Sequence, residues 1–426
     1  MGVAGNRGLP CTCLAIHRPK GLNIGMRHAV VNFIWLWVGA ACIGSGIAFA
    51  SGNNDAALNY LNALREQTGL GPLRVNAALQ RAAEDHARYL SRHQGNPHRQ
   101  QPGLSGFTGR RADDRAIVAG YPVRAVSENI SLGQRDPKRS VDDLMSAIYH
   151  RFGFLDGTLT EIGIGEGLGA SRAARYFVYL MGNQYLAALC EGKARSSDTF
   201  AGGFYDQVCE DGRRVGAAQW AAATVRPEQD GPDIVLWPPR GSDHALPAFY
   251  DEISDPLPHH KVSGAVISIQ FNPLTFPGAI TVNRFDLWDQ VSGRKLPPIV
   301  LMQQANDPNK KLTAHQFALF PLDRLQWGHE YRAEFEYQYA GRTHIERWNF
   351  RTRALPYPIT RVAASGGKYA LTSGQTSALV IAPGLGRELY RNVRWATPKG
   401  MRVDVNWEDD NTLLVKLQGK PCAEVL

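Results

Sequence analysis

Asn76-Ala77-Ala78-Leu79-Gln80-Arg81-Ala82-Ala83-Glu84-Asp85-His86-Ala87-Arg88-Tyr89-Leu90 reads as one amphipathic helix with its start signal in place. The short side chain of Asn76 can accept from the free N–H groups of a first turn. Leu79, Ala82, Ala83, His86 and Leu90 recur at the spacing of a single buried stripe. His86 therefore stands on an apolar face and is expected as a core or semi-buried histidine, not as a ligand. Upstream, Leu58, Leu61 and Leu64 mark a helix from about Asp55 to Thr68 that Gly69 stops. Downstream, Asp136 caps and Pro137 opens a third helix, which turns Val141, Leu144, Met145 and Ile148 inward and has His150 at its carboxyl end. The period then changes. Glu161 to Gly167 and Arg175 to Gly182 alternate or run apolar between glycines, as two paired strands do. Helices flanking a small sheet make a layered α+β domain over residues 51–189.

The rest of the chain divides around that domain. Arg27 and His28 precede an apolar run from Ala29 to Ile47 that closes on Ala48-Phe49-Ala50, a small-x-small cleavage pattern, so residues 1–50 read as leader and signal peptide, with Met26 an economical start. An uncleaved membrane anchor is the competing reading of that run, which is about 20 residues long; its second half, rich in Gly, Ala and Ser, favours cleavage. Residues 190–260 turn to Gly, Asp, Pro and Ser and read as a connector, with His259-His260 as a solvated pair within it. Short strand-like runs fill residues 261–355: Val266 to Phe271, Thr281 to Trp288, Ile299 to Gln303, Gln316 to Pro321, Tyr331 to Tyr339 and Ile345 to Arg351. Ser292-Gly293 and Ala340-Gly341 are their turn signals, and the even spacing argues for an immunoglobulin-type β-sandwich. Residues 356–426 read as a further small β unit.

Composition excludes some partners. The formal charge is +8, and removing the leader's four basic residues (Arg7, Arg18, Lys20, Arg27) leaves +4, a mildly basic surface and no nucleic-acid footprint. Of six cysteines, Cys190, Cys209 and Cys422 follow the leader. In an oxidising compartment Cys190 and Cys209 could close a loop worth about 3 kcal/mol, with two unpaired thiols the open alternative. No Gly-rich phosphate loop and no Gly-x-Ser-x-Gly elbow is present around Ser127 or Ser146, which removes the nucleotide-enzyme and serine-hydrolase readings.

Chemistry concentrates in His98, Glu128 and His150. Two imidazoles and one carboxylate could bind a metal, move a proton or hold a polar ligand, and as three zinc ligands they would leave a fourth position open. Their separation lacks the tight helical spacing of a metalloprotease motif. The plainer readings are a loop histidine at His98, a loop-bracing Glu128 and a His150 that interacts with a helix terminus.

The order Asn62 to Arg65, Gly69-Leu70, Pro72-Leu73, Asn76, Leu79, Ala82, His86-Ala87, His98, Arg115, Gly120-Tyr121, Glu128-Asn129, His150-Arg151 and Glu161-Ile162-Gly163-Ile164-Gly165 resembles a CAP domain. That superfamily is named for cysteine-rich secretory proteins, antigen 5 and pathogenesis-related proteins, and the resemblance is to its bacterial branch. It implies an α-β-α sandwich with an open cleft lined by His98, Glu128 and His150. A second cleft carboxylate would fall near Ala147, which cannot serve; Asp143 and Glu161 are the candidate substitutes. The residues 261–355 are similar to Ig-like modules that accompany bacterial CAP proteins, notably in Gln316 to Pro321 and Trp348 to Thr352. Two functions follow as expectations. One is an exported, extracytoplasmic protein whose cleft binds a small ligand, an envelope component or a divalent metal such as zinc, with membrane contact only if the signal is uncleaved. The other is a metal-assisted hydrolase acting on peptide or cell-envelope material, with His98, Glu128 and His150 as its ligands and base.

Overall fold

Ser51–Gln67 (α1) and Ala77–Leu90 (α2) are helices on opposite sides of a four-stranded sheet. The computed structural model describes residues 11–16, 51–134, 136–169, 175–192, 202–250, 252–297, 299–363, 367–383, 389–390, 393–396, 399–419 and 424–425. The chain divides into two units, Ala50–Ala354 and a second that combines Met1–Phe49 with Leu355–Leu426.

In the first unit the sheet runs, edge to edge, Arg74–Val75, Glu161–Leu168, Arg175–Gly182, Val126–Gln134. The outer short strand is parallel to its neighbour and the other pairings are antiparallel. Alternation along Arg175–Gly182 sends Phe177, Tyr179 and Met181 into the core with α1 and Pro137–Ser146 (α4), and Val178 and Leu180 into the core with α2. Ala112–Val118 (α3) and Gln184–Cys190 (α6) join the α2 side. The α-β-α sandwich expected from the sequence is therefore present.

The seat of α2 depends on missing side chains. A Cβ added at Gly163, Gly165 or Gly167 would stand 2.1 Å from the Gln80 nitrogen, 2.1 Å from the Ala83 carbonyl oxygen and 2.4 Å from the Ala87 carbonyl oxygen, respectively. Every second residue of one strand is thus reduced to hydrogen so that the helix backbone can rest on it. Asn76 caps the helix through Ala78 N and Leu79 N, at 2.9 and 3.2 Å. Where the short edge strand ends, Gln80 takes over its work: its amide nitrogen donates to the Ile164 carbonyl at 2.7 Å, and its carbonyl accepts from Ile164 N at 2.9 Å. A side chain completes the ladder that the backbone leaves open.

The third helix differs from its sequence reading. It ends at Ser146, Ala147 is extended (φ −84°, ψ 122°), and Ile148–Phe154 forms a separate helix, α5. His150 therefore sits in the first turn of a new helix, not at the end of a long one. Two antiparallel sheets follow, sharing one core: Ile299–Gln303, Gln316–Pro321, Ile267–Phe271 and Ile234–Trp237 in that order, and Thr281–Asp289, Glu330–Tyr339 and Arg342–Arg351. The stretch read as connector supplies the edge strand Ile234–Trp237. Ala340 and Gly341, both at positive φ (49° and 74°), make the two-residue hairpin expected there. Trp348 is buried in this shared core, whereas Trp237 packs with Val235 in the core of the α-β-α domain. The Cys190–Cys209 disulfide is formed and ties α6 to the segment before Ala217–Val225 (α7).

In the second unit a sheet ordered Ile359–Val362, Thr376–Ile381, Thr412–Gln418, Arg402–Asp409 encloses Val362, Leu379, Leu413, Val415 and Leu417. Cys11–Ile16 pairs with Gly367–Thr372 in the same unit. The apolar run from Ala29 to Ile47, the cleavage pattern after it and Cys422 lie outside the described residues. Among the described residues no helix is long and apolar enough to cross a membrane.

Gly165→Ala is expected to lower stability by about 3 kcal/mol in urea unfolding, because the Ala83 backbone cannot yield as a side chain would. Gly71→Ala, with nothing within 4 Å of its added Cβ, should stay within about 0.5 kcal/mol of the parent. Equal effects at the two positions would refute the close-seating account.

Candidate functional site

Glu128 lies in the strand Val126–Gln134, opposite Leu180 of its neighbour. Alternation directs Glu128 with Ile130 toward α2, and directs Asn129 toward α5, where its amide donates to the His150 carbonyl at 2.8 Å. The two members of the Glu-Asn pair serve different sides of the sheet.

On the α2 side, His98 Nδ1–H donates to Glu128 Oε1 at 3.0 Å, and the Arg115 guanidinium, carried by α3, donates to Oε2 at 2.5 Å. Arg115 also reaches the His98 and Arg110 carbonyls, both at 3.5 Å. The side chains of Arg115 and Glu128 are 0% and 4% exposed, whereas that of His98 is 42% exposed. Burial by itself would raise the Glu128 carboxyl; the His98 hydrogen bond and the Arg115 charge overcome it and hold the group below the ordinary carboxylate range. An ionised Glu128 can only accept, so it fixes the His98 proton on Nδ1 and leaves Nε2 as the nitrogen available to a ligand.

His86 sets where this histidine stands. Its Nε2–H donates to the Pro97 carbonyl at 2.7 Å and its Nδ1 accepts from the Gln100 amide at 3.0 Å, so one buried ring of α2 holds the chain on both sides of His98. Burial, the largest influence, pushes its pKa down to about 4 from 6.5. The expectation of a core histidine is met, and its role is to position.

His150 is engaged elsewhere. Its Nδ1–H donates to Glu252 Oε2 at 2.9 Å, while Glu252 Oε1 accepts from Ile148 N at 2.9 Å. Glu252 thus caps α5 and fixes its histidine together, and it follows α5 by about a hundred residues in a stretch that gave no sequence signal beyond a carboxylate among prolines and aspartates. The two substitutes considered for the missing carboxylate have other duties. Glu161 accepts from the Asn76 amide at 2.9 Å and from the Tyr121 hydroxyl at 3.0 Å. Asp143 is enclosed in α4, its carboxyl pushed up to about 7 by burial first and by Asp142 second. Arg151 is buried and, among the described residues, makes no salt bridge to a carboxylate. It donates to the Met145, Ser146 and Val266 carbonyls and to Ser268 Oγ, at 2.6, 3.3, 2.9 and 3.1 Å.

His98 accordingly pairs with Glu128 and His150 with Glu252, so the three residues read together from the sequence belong to two separate histidine–carboxylate pairs. Both oxygens of Glu128 are committed to His98 and Arg115, and a divalent cation there would face the Arg115 guanidinium. Among the described residues no group of three His, Cys, Asp or Glu side chains is arranged to hold a metal ion. The residues present do not fit a zinc centre.

Residues 58–181 match the model of the CAP family, the cysteine-rich secretory protein family. The chain carries a CAP domain over that stretch, joined to antiparallel β sheets. Similar solved structures include an extracellular protein containing an SCP domain from Bacillus anthracis, at 18% identity and a TM-score of 0.26, where the match covers 31% of this chain and 40% of that one. An outer surface protein of Borrelia burgdorferi is 18% identical with a TM-score of 0.28, over 33% of this chain and 98% of that one. A cysteine-rich secretory protein from Staphylococcus aureus is 15% identical with a TM-score of 0.24, over 32% and 39%. The match thus spans less than half the length of the Bacillus and Staphylococcus proteins. None of the curated proteins matches the chain.

Because folding keeps His86 neutral, the unfolded chain binds a proton near pH 6.5 that the native state accepts only near pH 4. Stability contributed by this group is full above pH 6.5 and falls as pH drops toward 4, by about 3 kcal/mol. His86→Gln keeps a donor and an acceptor and cannot titrate. The stability gap between parent and variant, from urea unfolding at pH 7 and pH 4, should shift against the parent by that amount on acidification; a constant gap would refute the assignment.

Proposed function

We propose that this is an exported CAP-domain binding protein that holds a small polar ligand at His98, with its β modules positioning it in the cell envelope. The carrying observation is the half-exposed His98 ring, set in one tautomer by an enclosed Glu128 that Arg115 neutralises. Such an arrangement presents a fixed acceptor nitrogen to solvent without moving charge into the interior. The Cys190–Cys209 disulfide supports an oxidising, extracytoplasmic location, in line with the leader read from the sequence. The sheet orders support an immunoglobulin-type sandwich for the second module: lettered in chain order, the strands run D-E-B-A in one sheet and C-F-G in the other.

A hydrolase would need a metal or a nucleophile beside the base. The donor set does not fit a metal, and of the two serines weighed in the sequence Ser146 Oγ donates to the Asp143 carbonyl at 2.7 Å, while no hydrogen bond joins Ser127 to His98 among the described residues. His98 with Glu128 has the form of a general base, so turnover is the property that separates the two readings.

Mass spectrometry of the exported chain should place its first residue near Ser51. Screening solubilised cell-wall fragments by ligand-observed NMR should yield a binder whose affinity falls at least tenfold in His98→Ala, while peptide and cell-wall substrates remain intact with and without added zinc. Hydrolysis that His98→Ala abolishes in a folded protein would overturn the binding reading.

A further inference from the structure

A cavity of about 270 Å³ opens between the end of α2 and the loop that follows it. It is much larger than the two other cavities described, of about 20 and 50 Å³, and neither His98 nor Glu128 lines it. Its composition is one-sided. Arg99 and Arg110 line it together with His93, the side chains of Gln94, Asn96 and Gln101, and Gln100, and no carboxylate does. From Ser91 to Arg111 the sequence holds four arginines and two histidines without a single Asp or Glu. Arg88 pairs with Asp85 and Arg111 with Asp113, whereas Arg99 and Arg110, like Arg92 outside the cavity, have no ion pair among the described residues.

The walls are fixed. Gln100 N donates to the Arg110 carbonyl at 3.1 Å, which holds the two arginine-bearing segments side by side. Gln100 is buried, with its amide oxygen accepting from Thr108 N at 2.7 Å and its nitrogen on His86. Gln101 N donates to the Tyr89 hydroxyl at 2.9 Å, and the Tyr89 ring packs on His93 with centroids 4.5 Å apart. Two guanidiniums without an ion pair among the described residues, on an ordered frame, have the chemistry to bind an oxyanion, and the Gln94, Asn96 and Gln101 amides around them match hydroxyl groups. The volume admits a molecule of monosaccharide size.

We propose that this cavity is a second binding site, separate from His98, for a small hydroxyl-bearing oxyanion such as a phosphorylated or carboxylated sugar unit. The test titrates the whole exported chain with glycerol 3-phosphate and, in a separate arm, with glucuronate, followed by backbone amide NMR at physiological salt. At least one arm should give saturable shifts at residues 94–101 and 110, with a Kd on the order of 1 mM or tighter; which arm responds tells phosphate from carboxylate. Arg99→Gln with Arg110→Gln should weaken binding at least tenfold, and each single variant severalfold should the double variant fail to fold. Arg88→Gln, which removes an equal charge outside the cavity, should leave binding unchanged, and glycerol should produce no shift. Absence of saturable shifts in both arms, equal weakening by Arg88→Gln, or an undiminished affinity in the folded double variant would overturn the proposal.

Discussion

The close seating of α2 on the glycines of one strand is the constraint on which the rest of the CAP domain depends. With Gly163, Gly165 and Gly167 beneath it, the helix is fixed in height and rotation by backbone atoms and not by adaptable side chains. That fixes His86, His86 fixes Pro97 and Gln100, and those two residues fix His98 and one wall of the cationic cavity. A geometric condition in the sheet is thereby transmitted to the surface through the side chains of His86 and Gln100 and the carbonyl of Pro97.

Three buried arginines give the domain a second kind of order. Arg65 gathers the Gly71, Phe154, Asp156 and Leu159 carbonyls, at 2.9, 2.6, 3.1 and 3.3 Å. Arg151 does the same between α4 and the strand Ile267–Phe271, and its own pKa is drawn down to about 9, by burial above all. Among the described residues Arg115 alone of the three is given a carboxylate, Glu128. The guanidinium fork suits this work because it meets several acceptors at once in a fixed plane. Only at Arg115 does the arrangement also set the proton of an exposed group.

Much of this was legible in the sequence, and the parts that were not share a cause. The α2 stripe, the Asn76 cap and the paired strands of Glu161–Leu168 and Arg175–Gly182 follow from local periodicity and chemistry, which is why the layered domain could be drawn before any coordinates. The break at Ala147 could not, since alanine is the best helix former and nothing nearby contradicts a continuous helix. Its reason is Glu252, which offers a cap to α5 from a distant part of the chain. The partition of His98, Glu128 and His150 between two carboxylates turns on strand alternation at Glu128-Asn129 combined with that same distant carboxylate. Side chains that act across a hundred residues leave no periodic trace.

Glu252 also bears on how the modules could be exchanged. The first turn of α5, the ring of His150 and the fork of Arg151 all take acceptors from residues that come after the CAP domain in the chain. A domain cut at its family boundary and grafted to a different scaffold would carry these unmet donors with it. Any replacement neighbour would have to bring one carboxylate and one free carbonyl to the same patch, so the front half of this protein is portable only in the company of a host shaped to receive it.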